Sequence, residues 1–227
     1  AFVLRGAKPV FVDIRRDTLN LDETQLRKAI SKRTKAVIVV HYAGVGCEMD
    51  VITKVCSENN VALIEDNAHG LFGKYKNKFL GTFGDFATQS FHETKNFTCG
   101  EGGALFINSS RKKIIDRAEV IREKGTNRSK FFRGDIQKYS WIDIGSSYLP
   151  SDMLAAFLYG QLEQRQRIQE KRQHLWNQYF SGLQAWAENL KIELPFVPED
   201  CEQAYHMFYM IMPSKKMRGR LLEHLNQ

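Results

Sequence analysis

Short apolar runs, separated by amphipathic stretches of about ten residues, set the pattern of this chain. Residues 9–14 (Pro-Val-Phe-Val-Asp-Ile) and the unbroken run 36–40 (Ala-Val-Ile-Val-Val) predict strands, the second suited to the middle of a parallel sheet. Between them Asp22 is placed to cap a helix that turns Leu26, Ala29 and Ile30 to one face. Residues 50–59 predict the next helix and 61–65 the next strand. Asn77 and Gly81 mark turns, 86–91 and 104–107 predict two more strands, and 110–124 an amphipathic helix. This order implies βαβ units, hence an α/β fold on a mostly parallel sheet.

Beyond Gly125 the periodicity fades until Pro150. Loops of that length inside a domain are commonly functional, and Phe131, Phe132, Tyr139 and Trp141 argue for an ordered loop at a site or interface. A long helix of mixed charge is then expected from Ser151 through Leu162 towards Trp176. Residues 192–197 and 205–212 predict strands of a smaller domain, followed by a helix over 220–227. The opening stretch 1–6 reads as the tail of a helix, without an initiator methionine, and the closing helix lacks a stop signal. Both ends are expected to continue in a longer protein.

Composition narrows the classes. A hydrophobic content of 43% supports a real core, and no run approaches the roughly 20 apolar residues of a membrane span. Cys47, Cys56, Cys99 and Cys201 are scattered without zinc spacing and read as free thiols of a cytoplasmic protein. The net charge of +7 is spread over helix faces, as at Arg111-Lys112-Lys113, with no aromatic-interleaved stripe. It reads as solvated surface, and at most as a field that attracts an anionic substrate. His41 and His92 lack carboxylates or cysteines at ligand spacing, so no metal is expected.

The candidate chemistry lies at strand ends. The run from Val61 stops on Glu65 and Asp66, and Lys95 falls just beyond the run 85–91. Open α/β sheets place their sites at such ends. Strand alternation turns Glu65 to the face opposite Asp66, where a structural role is expected. A lysine and an aspartate brought together suit pyridoxal 5'-phosphate, which needs an amine for a Schiff base and an acid for its ring nitrogen. A lone loop lysine is ordinarily solvated; the place of Lys95 midway between Ser90 and Gly100 favours the functional reading.

Glu65-Asp66-Asn67-Ala68-His69 and Ser90-Phe91-His92-Glu93-Thr94-Lys95-Asn96, with Gly100, Gly102 and Gly103, resemble the DegT/DnrJ/EryC1/StrS-type sugar aminotransferases. Further likeness at His41-Tyr42-Ala43-Gly44, residues 122–129 and Phe131-Phe132-Arg133-Gly134 points to the members that serve enterobacterial common antigen synthesis. The resemblance implies fold type I, with a seven-stranded sheet. It divides the chain into a cofactor domain (1–150), a connecting helix (151–190) and the start of a smaller α/β domain (191–227). It implies a homodimer that moves the amino group of glutamate to C4 of dTDP-4-keto-6-deoxyglucose, with neither nucleic acid nor membrane as partner. Lys95 is then the Schiff-base lysine, Asp66 the partner of the ring nitrogen, His69 a ring contact and Ser90 a phosphate ligand. A packed histidine is the alternative for His69. Arg128 and Arg133 become candidates for the substrate diphosphate, against the alternative of a salt-bridged loop. Many relatives carry an asparagine just ahead of the long helix, where residues 146–150 have none. The rival reading is a non-catalytic module that only binds the cofactor or dimerises.

Overall fold

A computed structural model of the chain describes residues 2–226. A 3₁₀ turn at Val3–Arg5 precedes α1 (Glu23–Ala29), whose first turn is capped by the Asp22 carboxylate accepting from Thr24 N. β1 (Ala36–Val40), α2 (Met49–Glu58) and β2 (Ala62–Asp66) follow. A small hairpin, β3 (Lys74–Tyr75) and β4 (Lys78–Phe79), turns through Lys76 and Asn77, both at positive φ. β5 (Phe86–Ser90), β6 (Gly103–Ile107), α3 (Lys112–Arg122) and α4 (Arg128–Phe132) complete the first two thirds. Then come α5 (Asp152–Glu163), α6 (Arg165–Leu190), β7 (Cys201–Glu202) and α7 (Lys215–Leu225).

The main sheet runs β1-β2-β5-β6, the first three strands parallel and β6 antiparallel. A second sheet, β4-β3-β7, ties the hairpin to the C-terminal part. Met49, Ile52, Val55 and Cys56 form the buried stripe of α2 and pack on Val39 and Leu63 of β1 and β2. A second cluster, Phe91, Phe97 and Cys99, is roofed by Leu154, Leu158 and Leu162 of α5.

Four expectations are corrected. Residues 9–14 form no strand: only Ile14 makes a bridge, to Leu21, and Phe11 is 91% exposed, so an apolar run without a paired neighbour stays outside the sheet. β1 lies at the edge of the four described strands, with Ile38 and Val40 facing outward; an unbroken apolar run cannot by itself tell one covered face from two. The single long helix is two, broken at Gln164, whose ψ of 18° interrupts the helical path. The strands expected at 192–197 and 205–212 reduce to one bridge, Glu193 to Ile211.

Glu65 is fully buried and structural, as strand alternation requires. Its carboxylate accepts from Gly81 N, Phe83 N and Gly84 N, each at 2.7 Å. His41, also fully buried, completes the set at 2.9 Å. His41 Nδ1 accepts from Cys47 N, so its Nε2 carries the hydrogen that it donates to Glu65. Gly84 is required here, because a Cβ would sit 2.6 Å from Leu63 O.

Burial opposes ionisation of Glu65, but the bonds from His41 and the backbone amides prevail and hold its carboxyl below the ordinary value of 4.5. A depressed carboxyl stabilises the fold above its unfolded pKa, and that contribution is lost as pH falls through the folded one. The Glu65→Ala variant should lose about 3–5 kcal/mol in urea unfolding at pH 7. The stability deficit of Glu65→Gln relative to wild type should shrink as the pH is taken below 4.5.

Candidate functional site

The three parallel strands end in line: Val40 pairs with Asp66, and Asp66 with Thr88. Asp66 therefore stands at the carboxyl edge of the sheet, on the face opposite Glu65. One carboxylate oxygen accepts from Ala68 N at 3.1 Å, and no cation is paired with it among the described residues. Ser90 closes β5, its hydroxyl accepting from His92 N. Lys95 follows in a tight turn, its own amide bonded to His92 O at 3.0 Å. The amine is half-buried and, among the described residues, in no ion pair.

That turn is held on every side. Phe97, at its end, is buried in the second core cluster. Gln161 of α5 makes a two-way clamp on Thr98, accepting from its N–H at 3.1 Å and donating to its carbonyl at 2.7 Å. Asn96 donates to Ala204 O at 2.7 Å and accepts from His206 Nδ1 at 3.0 Å. Arg172 of α6 donates to the carbonyls of Tyr205 and His206. Tyr205 itself sits at φ 52°, a conformation that persists only where neighbours hold it.

His69 lies between these groups. Its Nδ1 accepts from Ala43 N at 3.3 Å, and its ring stacks on His206 with centroids 4.3 Å apart. Tyr42 meets His69 edge-on. Burial and the nearby Lys95 charge lower the His69 pKa, against an opposing pull from Asp66. Burial, His69, Lys95 and Arg172 push His206 down to about 3. The structure thus gathers Asp66, His69, Ser90 and Lys95 at one sheet edge. The His69 ring packs against His206 and Tyr42.

Arg128 and Arg133 stand apart, on and just after α4. Arg133 grips Glu119 with two bonds, 2.8 and 3.0 Å, and reaches Asp135. Arg128 lies over the Phe132 ring at 4.8 Å. Among the described residues no hydrogen bond, ion pair or ring contact joins either arginine to the Lys95 group. The loop beyond Gly125 is ordered by bridges from Glu123 to Ser147 and from Thr126 to Trp141.

Sequence reasoning missed Asn96, Gln161 and His206 as supports of the site. Asn96 lies next to Lys95 in the sequence, the one local signal that could have found it, and His206 lies in a run whose apolar pattern predicts a strand. His41 does meet a carboxylate, Glu65, but from a distant strand rather than at ligand spacing. No group of three metal-binding side chains gathers among the described residues, and none of their helices is long and apolar enough to cross a membrane.

The donor set fits pyridoxal phosphate. An uncommitted carboxylate and an uncommitted amine, both half-buried at one sheet edge, match a ring nitrogen and an aldehyde carbon. The enclosed space beside Lys95 is only about 10 Å³, lined by His69, Gln89, Asn96 and His206 among others. It has room for one water, so a ring would have to lie on the open side.

The model of the DegT/DnrJ/EryC1/StrS aminotransferase family matches residues 1–227. The spore coat polysaccharide biosynthesis protein SpsC of Bacillus subtilis is 31% identical over 214 residues, covering 93% of this chain and 54% of that protein. Helicobacter pylori PseC, an aminotransferase of pseudaminic acid biosynthesis, superposes with a TM-score of 0.83 at 27% identity, over 99% of this chain and 58% of its own. A candidate sugar aminotransferase of Streptococcus pneumoniae in its pyridoxal-phosphate form gives 0.87 at 23% identity, over 99% and 60%. The fold is therefore the fold-type-I architecture of pyridoxal-phosphate-dependent aminotransferases. The chain spans less than two thirds of the length of these relatives.

The lowered His206 pKa has a sign that can be tested. A folded chain that resists protonation binds fewer protons than the unfolded chain below the ordinary value of 6.5. His206 should accordingly show no titration between pH 5 and 8 by proton NMR, and its contribution to stability should fall as pH drops from 6.5 towards about 3.

Proposed function

Since the chain belongs to the DegT/DnrJ/EryC1/StrS aminotransferase family, we propose that its protein transfers an amino group to a sugar ketone with pyridoxal phosphate as cofactor. One observation carries the reading: Asp66 and Lys95, each without an ionic partner among the described residues, share one sheet edge with His69 and Ser90. When bound, the cofactor supplies an electron-withdrawing ring that stabilises a carbanion. Asp66 would accept the ring N–H, Lys95 would hold the aldehyde carbon and move a proton at the substrate carbon, Ser90 would offer its hydroxyl to the phosphate, and His69 would line the site beside the ring.

The substrate reading is a nucleotide-linked 4-keto-6-deoxy sugar, the dTDP form in particular, with glutamate as donor. The names of SpsC and PseC, which concern polysaccharide and pseudaminic acid biosynthesis, support a sugar acceptor. The net charge of +7 favours an anionic diphosphate. Of the two arginines, Arg128 suits that group better, because Arg133 is already satisfied by Glu119 and Asp135. A homodimer accords with the exposed Met153, Phe157 and Tyr159 along α5. The rival reading is a folded module that binds cofactor without turnover.

Addition of pyridoxal phosphate should give a visible absorbance band that borohydride fixes as a permanent adduct, and Lys95→Ala should abolish both. Given glutamate and dTDP-4-keto-6-deoxyglucose, turnover by the protein should fall by a factor on the order of 10²–10⁴ in that variant. A band that survives in Lys95→Ala would show that another lysine holds the cofactor. A band without amino-sugar formation would favour the non-catalytic module.

A further inference from the structure

The hydrogen bonds around Asn96 assign a tautomer. Its Nδ2 donates to Ala204 O, so its Oδ1 faces His206 and can only accept. The His206 hydrogen is therefore on Nδ1, and Nε2 is a lone pair that makes no hydrogen bond among the described residues. His69 has the opposite arrangement: Nδ1 accepts from Ala43 N, leaving the hydrogen on Nε2. The two rings stack at 24° with complementary tautomers.

His206 is itself anchored independently of the Lys95 turn. Ala204 N donates to Gly44 O at 3.0 Å, a close approach that requires glycine, since a Cβ at Gly44 would lie 2.8 Å from the Ala204 Cβ. Arg172 fixes the carbonyls of the two peptides that flank the His206 Cα, those of Tyr205 and His206, and Trp176 Nε1 holds Met207 O. The segment is thus a fixed wall, and Asn96, the residue next to Lys95, is fastened to it twice.

We propose that His206 is a positioning residue for Lys95. Its Nδ1–H to Asn96 Oδ1 bond and its stack on His69 lock the turn so that the Lys95 amine stays beside His69 at the sheet edge. The assignment rests on the role given above to Lys95. It adds that a residue from the C-terminal segment, more than a hundred positions away, sets where that amine stands. The charged and titratable groups facing His206 are His69, Lys95 from the turn and Arg172 from α6.

The test reads Lys95 without any cofactor. Lysines of the purified chain are reductively methylated with ¹³C-formaldehyde, and the Lys95 resonance, assigned with Lys95→Arg, is titrated by NMR. Asn96→Ala removes both fastenings, His206→Phe keeps the ring but not the donor, and His206→Asn keeps a donor where Nδ1 stood. The titration midpoint of Lys95 should move by about half a pH unit, a roughly threefold change, in Asn96→Ala and in His206→Phe. The double variant should move it no further than either single one. His206→Asn should restore at least half of the shift.

An unmoved Lys95 midpoint in both single variants would overturn the proposal, even with a lowered melting temperature, because His206 would then only stabilise the fold. Additive shifts would overturn it as well, since the two residues would act separately. Should His206→Phe not fold, His206→Leu compared with His206→Asn decides the matter by the same midpoint, since only the second keeps a donor to Asn96. Because no pyridoxal phosphate is present, the result stands apart from the cofactor-binding test. A shifted midpoint in a chain that forms no borohydride-fixed band would uphold the positioning role and count against the cofactor reading.

Discussion

Glu65 is a carboxylate with no exposed surface that is surrounded by four donors, and much of the chain's geometry follows from satisfying it. An isolated buried carboxylate is prohibitively costly, so each donor has to arrive. Gly81, Phe83 and Gly84 deliver three backbone N–H groups, which forces the chain leaving the hairpin to wrap under β2 before it enters β5. His41 delivers the fourth and draws the end of β1 against the end of β2. The register of the three parallel strands is thereby pinned at the edge where the chemistry lies. Period-two alternation then leaves Asp66 no choice of face. The acid that folds the protein and the acid proposed to act are neighbours in sequence, and the strand separates their environments.

Lys95 is placed by a different logic. No strand holds it; the turn that carries it is tethered by side chains from α5 and from the segment after β7. Gln161 replaces a backbone pair for Thr98, and Asn96 is fastened twice to the 204–206 segment, donating to Ala204 O and accepting from His206 Nδ1. A loop fixed by side-chain amides keeps the lysine amine free, whereas an ion pair would have neutralised it. Depressed His69 and His206 pKa values fit the same plan, since neutral rings add no positive charge beside the Lys95 amine.

Strand ends and their acids were legible in the sequence because period and composition act locally. An apolar run closing on Glu65 and Asp66, and a lysine just past another such run, needed no long-range information. The turn at Asn77 was legible for the same reason. What could not be read was pairing. Residues 9–14 have the composition of a strand but no neighbour to bond, and 205–212 has its backbone claimed by Arg172 and Trp176 instead of a sheet. The Glu65–His41 contact, the Gln161 clamp and the Asn96–His206 bond join positions 24 to 110 residues apart. Nothing in the local pattern at either end announces them.

The two arginines show where resemblance and geometry part. A guanidinium held by Glu119 with two bonds and by Asp135 with a third has lost most of its attraction for a phosphate, because binding one would first break contacts of similar strength. Arg128 has a ring beneath it rather than a carboxylate, so its donors are open and its plane is already oriented by Phe132. Both sit on or beside a five-residue helix, in a loop whose aromatic groups Trp141 and Tyr148 point outward. Among the described residues Arg128 is thus oriented by a ring and without an ion pair, on a loop edged with exposed aromatic rings.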